Sequence, residues 1–244
     1  MNQKAKELGL VNTSFANPHG LDNENHYTTA KEFALLTKYA LQNKHINEIV
    51  NTKTATVNFG SSTKTLNNTN ALLRTYDKAD GVKTGFTNGA NRCLVASASN
   101  NSNRYIAVIL GADTSKIRFQ TAKEVLEKCF ETYTQMDISK YLNFYINVPI
   151  IKGNIKTYER QISDHLSLPL TKEEYEKIYI KQDIVPTLTA PIQKGEKIGK
   201  ITALIDDEII YEKELFLEET IRKKTIIDYI IEGLKNLFVD IEVI

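Results

Sequence analysis

Tryptophan is absent from these 244 residues, and cysteine and methionine occur only twice each. Two thiols, Cys93 and Cys129, cannot build a disulfide-rich scaffold or a Cys-only zinc centre. No run of about 18 apolar residues exists, so no helix is expected to cross a membrane. Neither sign of charge dominates. Lys and Arg total 31 against 30 Asp and Glu, a net of +1, which argues against a general nucleic-acid binder. The 12 tyrosines show no stacking pattern with basic residues, which speaks against single-stranded nucleic acid. The first ten residues lack the apolar core and small-residue cleavage site of a signal peptide.

What is present is an ordinary globular composition. Hydrophobic residues make up 41% and charged residues 25%, enough for one large domain or two modest ones. The charge is unevenly spread. Residues 1–134 carry 16 Lys/Arg against 11 Asp/Glu, and the remainder carries 15 against 19. An anionic ligand would prefer the first part.

Met1–Leu10 reads as the last turns of a helix, with Gly9 in the left-handed position after it. Two turns are too few to stand without packing partners, so the expectation is that N-terminal sequence is missing. Asn12–His26, rich in Asn, Pro and Gly, is an ordered loop. Thr29-Ala-Lys-Glu32 spells a capping box, and a helix over 29–42 follows. Thr52–Phe59 and Lys64–Asn67 form a hairpin through Gly60–Thr63. The apolar runs 92–98 and 104–110 read as adjacent antiparallel strands. Ile117–Tyr133 is an amphipathic helix that packs on them.

Beyond Met136 the texture turns β-rich. Runs at 143–151, 155–162, 175–182, 185–188, 197–204 and 208–215 predict a small β-sandwich over 137–217. Residues 218–244 are different again. Ile226, Ile227, Ile230, Ile231, Leu234, Leu237, Phe238 and Ile241 make one stripe at helical period. Such a helix lies in a membrane interface or docks on protein.

The most informative segment is Ala79-Asp-Gly-Val-Lys-Thr-Gly-Phe-Thr87. On an edge strand, the Lys83 ammonium attracts a carboxylate and the Thr84 hydroxyl hydrogen-bonds it. Gly85 has no side chain, so a bound peptide can lie against the strand. Lys-Thr-Gly accompanies Ser-x-x-Lys and Ser-x-Asn in penicillin-interacting serine enzymes. A bare tripeptide is a weak signal, and in most proteins it marks a surface turn.

The order of motifs adds to it. Asn12-Thr-Ser-Phe-Ala-Asn-Pro-His-Gly-Leu-Asp22, His26-Tyr-Thr-Thr-Ala30, Asn68-Thr-Asn-Ala-Leu-Leu73 and Asp80–Thr87 run in sequence. With Cys93–Ala98, Ile106–Gly111 and Arg118, they resemble the D-alanyl-D-alanine carboxypeptidases, low-molecular-mass penicillin-binding proteins of the bacterial cell wall. The resemblance implies a hydrolase fold of mixed α/β class, a partial transpeptidase domain over 1–136. An all-β sandwich over 137–217 and an amphipathic membrane anchor over 218–244 follow.

It also implies a serine-type carboxypeptidase that removes the terminal D-Ala from peptidoglycan stem peptides, with β-lactam antibiotics as further ligands. Lys83, Thr84, Gly85 and Arg118 carry over as substrate-binding residues. The family is extracytoplasmic and membrane-associated, and no cofactor or metal is implied. The catalytic serine and its lysine base have no counterpart at their family positions. Ser61-Ser-Thr-Lys64 fits Ser-x-x-Lys by spelling, but it straddles a predicted hairpin turn, where both side chains would be solvated. The chain is therefore expected to be an N-terminally truncated carboxypeptidase, inactive alone. The alternative is a non-catalytic module that binds peptidoglycan or a protein of the envelope. A β-lactamase or transpeptidase of the same fold suits the β domain and tail less well.

Overall fold

The computed structural model describes residues 1–101 and 103–239. They divide into two units, Met1–Thr134 and Gln135–Ile244. Asp240 and Ile241, at the end of the apolar stripe, lie outside the described residues.

The first unit opens with α1 (Asn2–Glu7), whose Ala5 is buried and whose end is closed by Gly9 at φ 71°. Two further helices follow the Asn-rich loop, α2 (Ala30–Ala40) and α3 (Lys44–Asn51). Thr29 caps α2 through the Glu32 amide, as its sequence requires. The reciprocal half of the predicted capping box is not made. The Glu32 carboxylate instead takes the Asn12 amide at 2.9 and 3.0 Å and the Thr13 hydroxyl at 2.5 Å. It is 7% exposed, and those donors outbid its own helix because they come from a loop that needs anchoring.

The strands β1 (Thr54–Phe59) and β2 (Ser62–Asn67) form the expected hairpin, almost wholly solvated. After the short helix α4 (Leu72–Thr75) come β3 (Ala79–Thr87), β4 (Asn91–Ser99) and β5 (Arg104–Ala112), an antiparallel sheet in that order. Its central strand buries Leu94 to Ala98 without alternation, because both faces are covered. Helix α5 (Ser115–Thr132) packs on β4 and β5 through Ala122 and Leu126, both 0% exposed. Helix α3 lies against β3, and α2 against β5.

The second unit is built from short strands. β6 (Thr134–Asp137) leads through a 3-10 turn at Ser139–Leu142 into β7 (Asn143–Ile151) and β8 (Thr157–Ser163). β9 (Ser167–Leu170) pairs with β6. Helix α6 (Lys172–Glu176) then occupies ground where a strand from 175 was expected. Thr171 and Glu174 close a complete capping box, a local signal that outweighs the β-prone residues behind it. β10 (Tyr179–Ile184), β11 (Leu188–Thr189), β12 (Lys197–Ile205) and β13 (Glu208–Phe216) complete the unit.

Two three-stranded sheets, β11-β7-β8 and β10-β12-β13, share one core. Ile146 and Val148 from the first meet Ile198, Ile201 and Leu215 from the second. Helix α7 (Ile226–Val239) follows. Asp228 takes a two-pronged ion pair from Arg222, and Glu232 pairs with Lys224 and Lys156. Its residues Ile226, Ile227, Ile230, Ile231 and Leu234 stay between 48% and 80% exposed. Among the described residues no helix is long and apolar enough to cross a membrane.

Candidate functional site

Lys83, Thr84 and Gly85 lie on β3, the outer strand of the first unit's sheet, so one row of its backbone groups has no strand partner among the described residues. Beside them opens a cavity of about 980 Å³. Phe33, Leu36 and Ala40 of α2 form an apolar wall, while Lys83, Arg92 and Arg118 bring positive charge. Among the described residues no acidic side chain lines it. A groove of this kind attracts an anion attached to an apolar body.

Each residue of the tripeptide sits differently. Lys83 is exposed, with its ammonium 2.6 Å from the carbonyl oxygen of Thr84. Thr84 is 9% exposed, and its Oγ1 lies 2.6 Å from Thr69 Oγ1. Gly85 is a position the fold itself does not require to be glycine. A methyl group there would meet only Cys93 Cβ at 3.7 Å, ordinary contact.

Arg118, on α5, is 7% exposed. Its Nη1 donates to the carbonyls of Gly85 and Cys93, each at 3.2 Å, and Nη2 reaches Ser115 Oγ at 3.4 Å. The guanidinium therefore rivets β3 to β4 under the tripeptide. Its Nε has no partner among the described residues, and the side chain lines the cavity. Burial first, and then the charge of Arg92, push its pKa below the usual arginine value.

Three sets of contacts hold β3 in place. At its start, Asp80 accepts from Ser97 Oγ at 2.5 Å and from Arg104 at 3.0 Å. In its middle, the fully buried Asn70 donates from Nδ2 to the Gly81 carbonyl at 2.8 Å. At its end, Asp22 takes the Thr87 hydroxyl at 2.5 Å and the Gly89 amide at 3.1 Å. Asp22 and Thr87 are 65 positions apart. The motifs at 12–22 and 68–73 thus converge on the strand that carries Lys83. In the sequence Thr69 and Asp22 are marked only by the motifs that contain them, and Arg92 only by its place at the start of a strand.

The other candidates assemble no second centre among the described residues, although His19 and Cys93 border the same cavity. Ser61 sits in the β1–β2 turn and Lys64 on β2, both exposed on the solvated hairpin. His19 and His26, which with Asp22 and Glu24 spell an imitation of a metal cluster, instead accept backbone amides of their own loop through Nδ1. Among the described residues no group of three metal-ligating side chains forms. Cys93 and Cys129 are free thiols.

An antiparallel sheet with a helix packed on it, an open Lys-Thr-Gly edge and a cationic groove defines the penicillin-binding class of transpeptidase-like domains. Comparison with known proteins gives the family. Residues 1–114 match D-alanyl-D-alanine carboxypeptidase, and residues 140–223 match the C-terminal domain of penicillin-binding protein 5. The chain belongs to the D-alanyl-D-alanine carboxypeptidase family. It is 36% identical over 94% of its length to DacF of Bacillus subtilis, and 31% identical over 91% to DacC of Escherichia coli.

Penicillin-binding protein 5 of Haemophilus influenzae superposes with a TM-score of 0.68 at 26% identity, over 91% of this chain and 64% of that one. A Streptomyces K15 DD-transpeptidase gives 0.51 at 32% identity, over 53% of this chain and 52% of that one. The chain spans 60% of DacF and 56% of DacC.

Proposed function

We propose that this chain supplies the substrate-gripping edge of a serine-type D-Ala-D-Ala carboxypeptidase acting on peptidoglycan stem peptides. The observation that carries the reading is Gly85, a glycine on an open strand edge that the fold does not need, flanked by a lysine and a hydroxyl in a cationic groove. A peptide ending in D-Ala lies along β3 and pairs with its free backbone groups. Its terminal carboxylate is held by Lys83 Nζ and Thr84 Oγ1, with the Arg118 charge behind them. A β-lactam, which also presents a carboxylate beside an amide, uses the same contacts.

Cleavage needs an activated serine, and serine–base pairs are worth roughly a million-fold in rate in comparable chemistry. Ser61 and Lys64 are exposed on a hairpin, where nothing activates the hydroxyl. The chain alone therefore binds substrate without cutting it. Residues 1–136 serve as the peptide-binding part of a catalytic domain and 137–217 as its β domain. Residues 218–244 rest on a membrane surface outside the cytoplasm.

The same exposed hairpin also suits a second reading, a non-catalytic peptidoglycan- or protein-binding module. Titration with a diacetyl-Lys-D-Ala-D-Ala peptide tests the groove, and binding should be lost in Lys83→Ala. Incubation with fluorescent penicillin tests the chemistry, and no covalent label is expected. Covalent labelling would overturn the missing-nucleophile claim, and absence of peptide binding would overturn the groove. Adding a polypeptide that carries Ser-x-x-Lys restores D-Ala release under the first reading and not under the second.

A further inference from the structure

The outer face of the β7–β8 ribbon differs in chemistry from the other sheet of its unit. Strand alternation sends Ile146 and Val148 into the core and leaves Asn143, Tyr145 and Asn147 outside. Directly across the ladder stand Ser163, Gln161 and Glu159, also exposed. Glu159 is the one charged residue of these six. The β10-β12-β13 sheet is the reverse. There Lys200 Nζ meets Glu212 Oε2 at 2.8 Å, Lys197 pairs with Glu214, and Lys181 lies 3.5 Å from Asp183. One sheet presents ion pairs, and the other presents amides, a hydroxyl and an aromatic ring.

Tyr145 is 74% exposed, yet it is not loose. Its hydroxyl donates to Gln161 Oε1 at 3.2 Å, and Gln161 Nε2 donates to Asn143 Oδ1 at 3.1 Å. The ring is tied at its hydroxyl to a Gln161 that is itself anchored on Asn143, so less rotamer freedom remains to be lost when a partner stacks on it.

That chemistry selects among partners. A charged polymer finds almost nothing to pair with. An apolar protein face would strip water from three amides and two hydroxyls without replacing their hydrogen bonds. A neutral sugar chain satisfies both demands. The C–H face of a pyranose packs on an aromatic ring. Its hydroxyl and acetamido groups exchange hydrogen bonds with side-chain amides, which offer both donors and an acceptor. We propose that the outer face of β7 and β8 binds an uncharged glycan strand of N-acetylated hexopyranoses, with Tyr145 as the stacking platform. The source of such a glycan rests on the cell-wall reading above; the surface chemistry does not.

The test is a titration of the 244-residue chain with chitohexaose, the β-linked hexamer of N-acetylglucosamine, followed by NMR or calorimetry, with cellohexaose as the comparator lacking acetamido groups. Saturable chitohexaose binding is expected. It should weaken by at least about tenfold in Tyr145→Ala with the melting temperature unchanged, since the side chain touches no core. Tyr145→Phe, which keeps the ring, should retain most of it, and Lys200→Ala on the other sheet all of it.

Absence of saturable binding, or wild-type affinity in Tyr145→Ala, overturns the proposal. Equal binding of cellohexaose overturns acetamido recognition. Lys83→Ala separates this proposal from the groove. Sugar binding that survives there supports the β7–β8 face, and sugar binding lost there places the glycan in the groove and overturns it. A chain that binds chitohexaose but not the D-Ala-D-Ala peptide sinks the groove reading alone.

Discussion

Thr84 Oγ1 lies 2.6 Å from Thr69 Oγ1, so the second residue of the Lys-Thr-Gly edge is held by a hydroxyl from the segment between β2 and β3. A hydroxyl has one proton and two acceptor sites. If Thr69 donates to Thr84, the Thr84 proton is left aimed at the groove, ready for a carboxylate. Thr69→Val removes the donor while keeping the shape. A single hydrogen bond contributes about 0.5–1.5 kcal/mol, so affinity for an acyl-D-Ala-D-Ala peptide should fall about 2- to 12-fold. Thr69 is exposed, so the melting temperature should hardly move. An unchanged dissociation constant would show that Thr69 does not orient Thr84.

Gly85→Ala should separate folding from binding. The new methyl meets only Cys93 Cβ at 3.7 Å, and alanine restricts the unfolded chain more than glycine does. Stability should hold or rise by up to about 1 kcal/mol. Peptide binding should be lost, because the methyl projects where a ligand backbone approaches the strand. Denaturant unfolding and peptide titration on the same sample read both outcomes. A variant that binds normally would remove the observation on which the proposed function stands.

How far these contacts could be read from the sequence depends on their range. The Lys83–Gly85 edge, the β1–β2 hairpin, helix α5 and most sandwich strands announce themselves through spacing and local turns. Helix α6 was legible too, in the Thr171–Glu174 capping box, but the β-prone run starting at Tyr175 masked it. What could not be read are choices made across distance. Glu32 could satisfy its own helix or the Asn12 loop 20 positions away, and nothing local says which. Asp22 looks like any loop aspartate until folding brings Thr87 to it. Arg118 can be matched to a family arginine by sequence, but its grip on the Gly85 and Cys93 carbonyls appears only when α5 packs on the sheet.

Arg118 and Lys83 should fail in different ways. Arg118 bonds two carbonyls from a 7% exposed position, and a lysine cannot reproduce that fork. Arg118→Lys should lower both the melting temperature and peptide affinity. Lys83 is exposed and, among the described residues, bonds the neighbouring Thr84 carbonyl alone. Lys83→Ala should lower affinity alone. If Arg118→Lys melts like the parent chain, the arginine is not the rivet between β3 and β4.

Glu32 makes part of the first unit's stability dependent on pH. Burial alone would push its carboxyl up, but hydrogen bonds from Thr13 and from the Asn12 backbone and side chain outweigh that and hold it below the usual glutamate range. A carboxyl lowered on folding contributes stability above its unfolded pKa of about 4.3 and loses it as the pH falls toward the folded value. Glu32→Gln should therefore be less stable than the parent at pH 7, and the gap should close in acid. Urea unfolding from pH 7 to pH 3 measures it. A gap of equal size at both ends would mean that Glu32 acts by shape, not by charge.

Helix α7 is the element on which the proposed contact with a membrane surface rests. Ile226, Ile227, Ile230, Ile231 and Leu234 are all at least 48% exposed, an apolar surface that the described residues of their own unit leave uncovered. Residues 218–244 carry only four Lys/Arg against six Asp/Glu, and Arg222 and Lys224 are already paired with Asp228 and Glu232. Attraction to anionic lipid is therefore weak, and adsorption must come from apolar area. The chain should sediment with zwitterionic phosphatidylcholine vesicles nearly as well as with phosphatidylglycerol vesicles, and salt should change little. Ile230→Glu, placed on an exposed helical position, should abolish sedimentation without lowering the melting temperature. Binding that needs anionic lipid and disappears in salt would assign adsorption to basic residues. Undiminished binding of Ile230→Glu would show that this stripe is not the surface that enters the lipid.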